Sequence, residues 1–313
     1  MRKLFLAVCA LSLSLFACKK DTAPVNPETP GTGKKVALHI RAKDFLQQVE
    51  PIPASNNRTA GATGALRDSV LTSKVSFLSY LLYDASNHVY SMKFQQADDE
   101  NFGTITDSAA PGNYTMVILA SQTPLSVSNV EPLNNCFFSL EWASRGQIEY
   151  TPDIFFTKSN VAVTDGSDAM ELNMTLDRVV GNLQVNILDM PQPGSGDTTM
   201  SIEIAPEAVN LFAVSGEPAF DPVDFVSAKV KRIGLNTFSA YVLNTVSSFA
   251  VSINYVDPAT GQHKTKVINN VSCYKNRRTI LSGYLYGGSA PENNGIKVIL
   301  LDSWSGDDNE MEF

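Results

Sequence analysis

The thiol of Cys18 is the side chain whose setting most invites covalent chemistry. Ahead of it, Arg2 and Lys3 form a basic start and Leu4 to Leu15 an apolar run broken only by small residues. Ala17 then supplies the small residue that signal cleavage requires. The run is too short to cross a bilayer as a stable helix. The segment is therefore expected to be removed, which makes Cys18 the first residue of the mature chain.

The remaining reactive side chains lack partners in sequence. His39, His88 and His263 fall in unrelated segments, so neither a metal site nor a catalytic histidine is predicted. Ser272-x-x-Lys275 has a nucleophile and a base at a spacing known from acyl-transfer enzymes, but that chemistry needs the serine at a helix start, and the companion motifs are missing. Acidic clusters at Asp98-Asp99-Glu100 and Asp307-Asp308-Asn309-Glu310 have oxygen ligands for calcium without the spacing of a calcium loop, and read as solvated turns. Cys136 and Cys273 are far apart in sequence, open to pairing or to burial as separate thiols. No catalysis, cofactor or metal is expected.

Leu15-Phe16-Ala17-Cys18 resembles the lipobox of bacterial lipoproteins, in which the cysteine thiol takes a diacylglycerol and the freed amine a further acyl chain. Several acyl chains hold a protein on a membrane far more firmly than one. The resemblance implies an extracytoplasmic protein anchored at Cys18. Loss of Arg2 and Lys3 takes the formal charge from −8 to −10, which argues against nucleic acid as a partner. Lys19 to Lys35, rich in Pro, Thr, Gly and Lys, reads as a tether.

Positioning elements begin at Val36. Val36, Leu38, Ile40 and Ala42 alternate with His39, Arg41 and Lys43, the pattern of a half-buried strand. Pro51 to Ser73 is a long polar loop containing Arg58 and Arg67. Val75 to Tyr83 is apolar on both faces, as a central strand would be, and Asp84 to Asn87 turns into Val89 to Phe94. Pro111-Gly112-Asn113 feeds a strand at Tyr114 to Ala120. A short helix is predicted near Cys136 to Ala143. After the polar break Val163 to Asp168, strands recur at Met170 to Leu176, Val179 to Ile187, Met200 to Ile204, Phe249 to Tyr255, Ile280 to Tyr286 and Ile296 to Leu301. Short alternating strands between turn clusters mean β-sandwiches. The expected organisation is a signal at 1–17, a lipidated tether at 18–35 and two sandwiches at 36–165 and 166–313.

The stretches SYLLYDASN (Ser79 to Asn87), PGNYTMVILA (Pro111 to Ala120), PDIFFT (Pro152 to Thr157) and LDRVVGNLQVNI (Leu176 to Ile187), with the late strands Leu281 to Tyr286 and Ile296 to Trp304, resemble the fimbrillin-associated anchor subunits of type V pili. The resemblance covers most of the mature chain. It implies an all-β fold of two tandem Greek-key, transthyretin-like β-sandwich domains, an outer-membrane location, and fimbrial subunits as partners, joined by β-strand exchange. In shaft subunits of that family, cleavage after an arginine in the loop following the first strand releases that strand; Arg58 and Arg67 are the candidates by position. Thr157 and Ser159 depart from the family's pattern after the aromatic pair, and anchor, tip and shaft roles stay open. A different reading is a surface glycan-binding lipoprotein of a polysaccharide-uptake system, with Trp142, Trp304, Tyr284 and Tyr286 as a stacking platform.

Overall fold

The alternation from Val36 onward folds as predicted: Val36, Leu38 and Ile40 are buried, Ala37 and His39 half-buried and Arg41 exposed. The computed structural model describes residues 35–43, 71–166, 169–191, 199–287 and 297–301. Their strands are β1 (Val36–Lys43), β2 (Phe77–Tyr83), β3 (Val89–Gln96), β4 (Thr104–Ala109), β5 (Gly112–Ser121), β6 (Ser126–Ser128), β7 (Phe137–Ser139), β8 (Gln147–Ile148), β9 (Ile154–Val163), β10 (Met170–Thr175) and β11 (Asp177–Arg178), followed by β12 (Gly181–Ile187), β13 (Met200–Ala205), β14 (Asn210–Phe212), β15 (Pro218–Ala219), β16 (Ser227–Arg232), β17 (Thr237–Val242), β18 (Phe249–Val256), β19 (His263–Val271), β20 (Arg278–Gly283) and β21 (Lys297–Leu301). The protein is an all-β chain of packed sheets. Short 3-10 turns at Leu71–Ser73 and Leu133–Asn135 are the helical elements of the described residues.

The first unit packs a three-stranded sheet, β10-β1-β4, against a five-stranded one, β11-β9-β5-β2-β3. One core cluster fills the space between them: Leu38, Ile40 and Ile105 from the smaller sheet meet Leu78, Tyr80, Leu82, Met116, Ile118 and Phe155 from the larger. β2 is buried on both faces, as expected of a central strand flanked by β5 and β3. The break at 163–168 connects β9 to β10, and β10 pairs along β1 with Leu38 opposite Met170. Leu176 also belongs to this first core.

In the second unit the sheet order is β19-β18-β13-β16-β17-β12-β20-β21. β16 serves two neighbours in turn: Ala228 and Val230 face Ile204 and Ile202 of β13, whereas Lys231 and Arg232 face Ser239 and Phe238 of β17. The sheet thereby folds into two layers about β16. Leu183, Val185, Ile202, Ile204, Phe238, Val251, Ile253 and Leu281 fill the space between them.

The helix expected at Cys136 to Ala143 is instead β7 and an extended run. Cys136, Phe138 and Leu140 are buried while Phe137 and Ser139 are half-buried, a period of two rather than 3.6. β7 pairs with β14 from the second half of the chain in a four-stranded sheet, β15-β14-β7-β6. That sheet shares a core with Leu81, Val117, Leu119 and Phe156 on the outer face of the first unit, and the same cluster continues into the second.

Candidate assembly edge and inter-unit joint

β1 is held on both sides. It runs parallel to β10 from Leu38 opposite Met170 to Lys43 opposite Thr175, and antiparallel to β4 from Val36 opposite Ala109 to Arg41 opposite Thr104. Three of its side chains are core residues: Val36 is 4% exposed, and Leu38 and Ile40 are 0% exposed. Full burial of such a side chain is worth about 1.5–3 kcal/mol. Withdrawing β1 would strip two ladders of their partner and open a hydrophobic slot over Tyr80 and Ile118. Tyr80 spans the sandwich, its hydroxyl donating to Asp107 on β4 at 3.1 Å. Burial first, then the Asp107 carboxylate, pushes its phenol well above the usual range.

Cys18, Arg58 and Arg67 lie outside the described residues. Arg58 and Arg67 fall in the stretch of sequence between β1 and the turn at Leu71–Ser73. The remaining residues singled out in sequence are not brought together. His39 lies on β1 opposite Thr106 and Glu171, His88 follows the β2–β3 turn 3.6 Å from Glu131, and His263 is exposed at the start of β19. Ser272 and Lys275 sit in the loop before β20, where the Lys275 ammonium donates to Gly216 O at 3.0 Å and Glu217 at 2.8 Å. Asp99 accepts the Gln96 N–H at 2.8 Å in the turn after β3, and no group of three or more metal-binding side chains forms among the described residues. Cys136 and Cys273 are separate buried thiols. Burial pushes the Cys273 thiol up to about 12.

Of the residues read as a sugar platform, Trp142 stands apart from Tyr284 and Tyr286. Trp142 packs against the core beside the β8 turn, where Ala143 N–H donates to Gln147 O at 2.9 Å. Tyr284 follows β20 at the other end of the second unit, and Tyr286 stands edge-on to Tyr255 at 5.3 Å. Trp304 lies outside the described residues.

A joint that sequence reading missed connects the units. Asp153, just before β9, is 1% exposed and receives Arg178 of β11 at 2.8 and 3.0 Å. Arg178 also donates to Asn276 in the loop before β20 at 3.0 Å and lies 4.7 Å over the Phe155 ring. Burial raises the Asp153 carboxyl above its ordinary value, opposed by Arg178 and by a hydrogen bond from Tyr241 of β17. The pair thus ties β11, β17 and the loops before β9 and β20 to one buried charge. Nearby, Gly216 has φ +66° and lies against Phe156, so a Cβ there would come within 2.5 Å of the ring. Among the described residues no helix is long and apolar enough to cross a membrane.

The statistical model of the family described as fimbrillin-A associated anchor proteins Mfa1 and Mfa2 matches residues 55–277. No curated protein sequence matches. Among solved structures, a Bacteroides thetaiotaomicron protein described as a candidate polysaccharide-binding protein is 12% identical, with a TM-score of 0.55 over 80% of this chain and 92% of its own. A Bacteroides ovatus protein described as a candidate adhesin is 11% identical, with a TM-score of 0.52 over 85% and 94%. The fimbrial anchor protein Mfa2 of Porphyromonas gingivalis is 14% identical, with a TM-score of 0.46 over 87% and 98%.

Proposed function

The chain belongs to the family of fimbrillin-A associated anchor proteins, and from this membership and the seat of its first strand we propose that it is a lipid-anchored fimbrial subunit of the outer membrane. Its role is structural: it joins pilus subunits by β-strand exchange and supports adhesion, without catalysis. The observation that carries this reading is the position of β1, a strand paired on both sides and buried along one face, between a tether that begins at Cys18 and a stretch that carries Arg58 and Arg67.

The physical logic has two branches. If the chain stays intact, Cys18 remains covalently joined to β1, and pulling on the fimbrium loads the β1–β10 and β1–β4 ladders along their length. The acyl chains then hold the assembly to the membrane. If the chain is cut after Arg58 or Arg67, β1 departs with its lipid and leaves an acceptor slot for another subunit's strand. We favour the intact branch, an anchor. Intact mass and N-terminal sequencing of the protein taken from native outer membranes test it. A blocked, acylated Cys18 on a full-length chain is expected; a free N-terminus at Thr59 or Asp68 overturns the anchor reading in favour of a polymerising subunit.

A further inference from the structure

The end of the second unit remote from the joint carries an apolar tip. Ile233 and Leu235, in the β16–β17 turn, are 61% and 46% exposed; Leu188 and Tyr284, which follow β12 and β20, are 50% and 39% exposed. Hydrogen bonds set them at one level. Ile187 N–H donates to Asn236 O at 2.9 Å, and Leu188 N–H to Gly283 O at 2.8 Å. Since β17, β12 and β20 are neighbours in the sheet, four large apolar side chains crown three adjacent strands. Isolated surface aliphatics are ordinary, but a cluster at a strand end marks a contact surface.

Part of the turn's backbone is satisfied from within. Ile233 and Gly234 N–H groups donate to Thr237 O at 3.0 and 3.1 Å. The Arg232 guanidinium, 5.6 Å over the Phe238 ring, donates to Gly234 O at 3.1 Å and also to Leu235 O. Carbonyls at an exposed turn normally rely on water; here an arginine of the same hairpin takes that place. Backbone groups that enter hydrocarbon need just such internal partners. With the Gly234 and Leu235 carbonyls already bonded, the hairpin offers less free edge for strand addition. Behind the two aliphatics both hairpin charges are positive, Lys231 and Arg232, on a chain whose net charge is −8. Exposed apolar residues with cations beside them on the same hairpin match the boundary between acyl chains and anionic headgroups, where Tyr284 is also suited.

We propose that the Ile233–Leu235 hairpin inserts into an anionic lipid surface as a second membrane contact, separate from any acylation at Cys18. The test uses the whole mature chain, residues 18–313, with Cys18→Ala, so that neither the apolar signal nor a lipid anchor is present, and vesicles of phosphatidylcholine with or without phosphatidylglycerol. The protein is expected to float with the anionic vesicles, and Ile233→Asp with Leu235→Asp to lower partitioning about tenfold or more, the effect of withdrawing two aliphatic side chains. Lys231→Glu should weaken binding to anionic vesicles selectively. An Ile233→Trp variant should shift its emission to the blue on vesicle addition and be quenched by brominated acyl chains. Thermal unfolding checks that each variant folds. Absence of flotation, flotation indifferent to the double aspartate change, or tip-dependent capture by a protein without vesicle binding would each overturn the proposal. None of these outcomes bears on whether native Cys18 is acylated.

Discussion

Arg178 grips the carboxylate of Asp153 with two parallel hydrogen bonds, Nε to Oδ1 at 2.8 Å and Nη2 to Oδ2 at 3.0 Å, where the chain passes from the first unit to the second. Both side chains are largely dry, 14% and 1% exposed. A buried pair adds little net stability over an apolar substitute, but removing one partner strands the other charge. Arg178→Ala is therefore expected to lower unfolding stability by about 3–5 kcal/mol in urea titration. Arg178→Lys keeps the charge and loses the fork, so it should fall between the two. A loss below about 1 kcal/mol, typical of exposed pairs, would remove the joint from the account.

Glu207 gives the same region a pH dependence. It lies deep in the core, and one of its oxygens accepts the N–H groups of Ala208 at 2.8 Å and Asn244 at 2.7 Å. Burial pushes its carboxyl from 4.5 up to about 8, against the pull of those N–H groups. Between these values the folded protein holds a proton that the unfolded chain has released. Its contribution to stability therefore falls as pH rises from about 4.5 to 8 and levels off beyond, with a slope of up to about 1.4 kcal/mol per pH unit. Glu207→Gln keeps the acceptor oxygen and cannot ionise. Urea midpoints taken across this range should fall more steeply for the native protein than for the variant; parallel profiles would contradict the assignment.

At Gly216 the backbone is left-handed and the neighbouring Phe156 ring leaves no room for a methyl group. Alanine meets strain and a clash together, and either is destabilising. Gly216→Ala should reduce stability by about 2 kcal/mol or more, read as a lower thermal midpoint. At Gly261, where φ is +67° and nothing lies within 4 Å, the same change meets strain alone and should be milder.

The register of β1 makes a sharper statement. Ile40→Ala removes a fully buried side chain and should cost about 2–5 kcal/mol, whereas His39→Ala on the other face should stay within about 0.5 kcal/mol. Equal effects at the two positions would mean that β1 does not fill the slot between β10 and β4.

How far the sequence could be read depended on whether a strand buries one face. β1, β13 and β18 do, and their alternation is plain in Val36 to Ile40, Ile202 and Ile204, and Phe249 to Ile253. β16 offers only Ala228 and Val230 between lysines, and the four-stranded sheet is built of two- and three-residue strands, too short for a period to emerge. Cys136, Phe138 and Leu140 did carry a period-two signal, masked by Phe137. Pairing was less visible than strand identity: β10 joins β1 across more than a hundred residues, and Asp153 and Arg178 become neighbours only because β11 pairs with β9. Cys18, Arg58 and Arg67 stand out by local sequence alone, which says nothing of what surrounds them.

β19 explains its own silence in the sequence and makes the last prediction. It is an edge strand, exposed along most of its nine residues, with β18 as its partner. Cross-strand pairing sets Lys266 opposite Ile253 and Lys264 opposite Tyr255, so the face of β19 that continues the core side of the sheet carries two ammonium groups. Lys264 is held by Asp257 at 2.5 Å. Charges on the inner face of an edge strand penalise any further strand, because a new neighbour would bury them. Replacing Lys266 with Val should leave thermal stability unchanged or slightly raised, since Ile253 gains an apolar neighbour, while light scattering on heating rises earlier and sedimentation reveals self-association. If the variant stays as monomeric as the parent, the lysines are not what protects this edge. If it associates, the lysines are what closes this edge against promiscuous pairing.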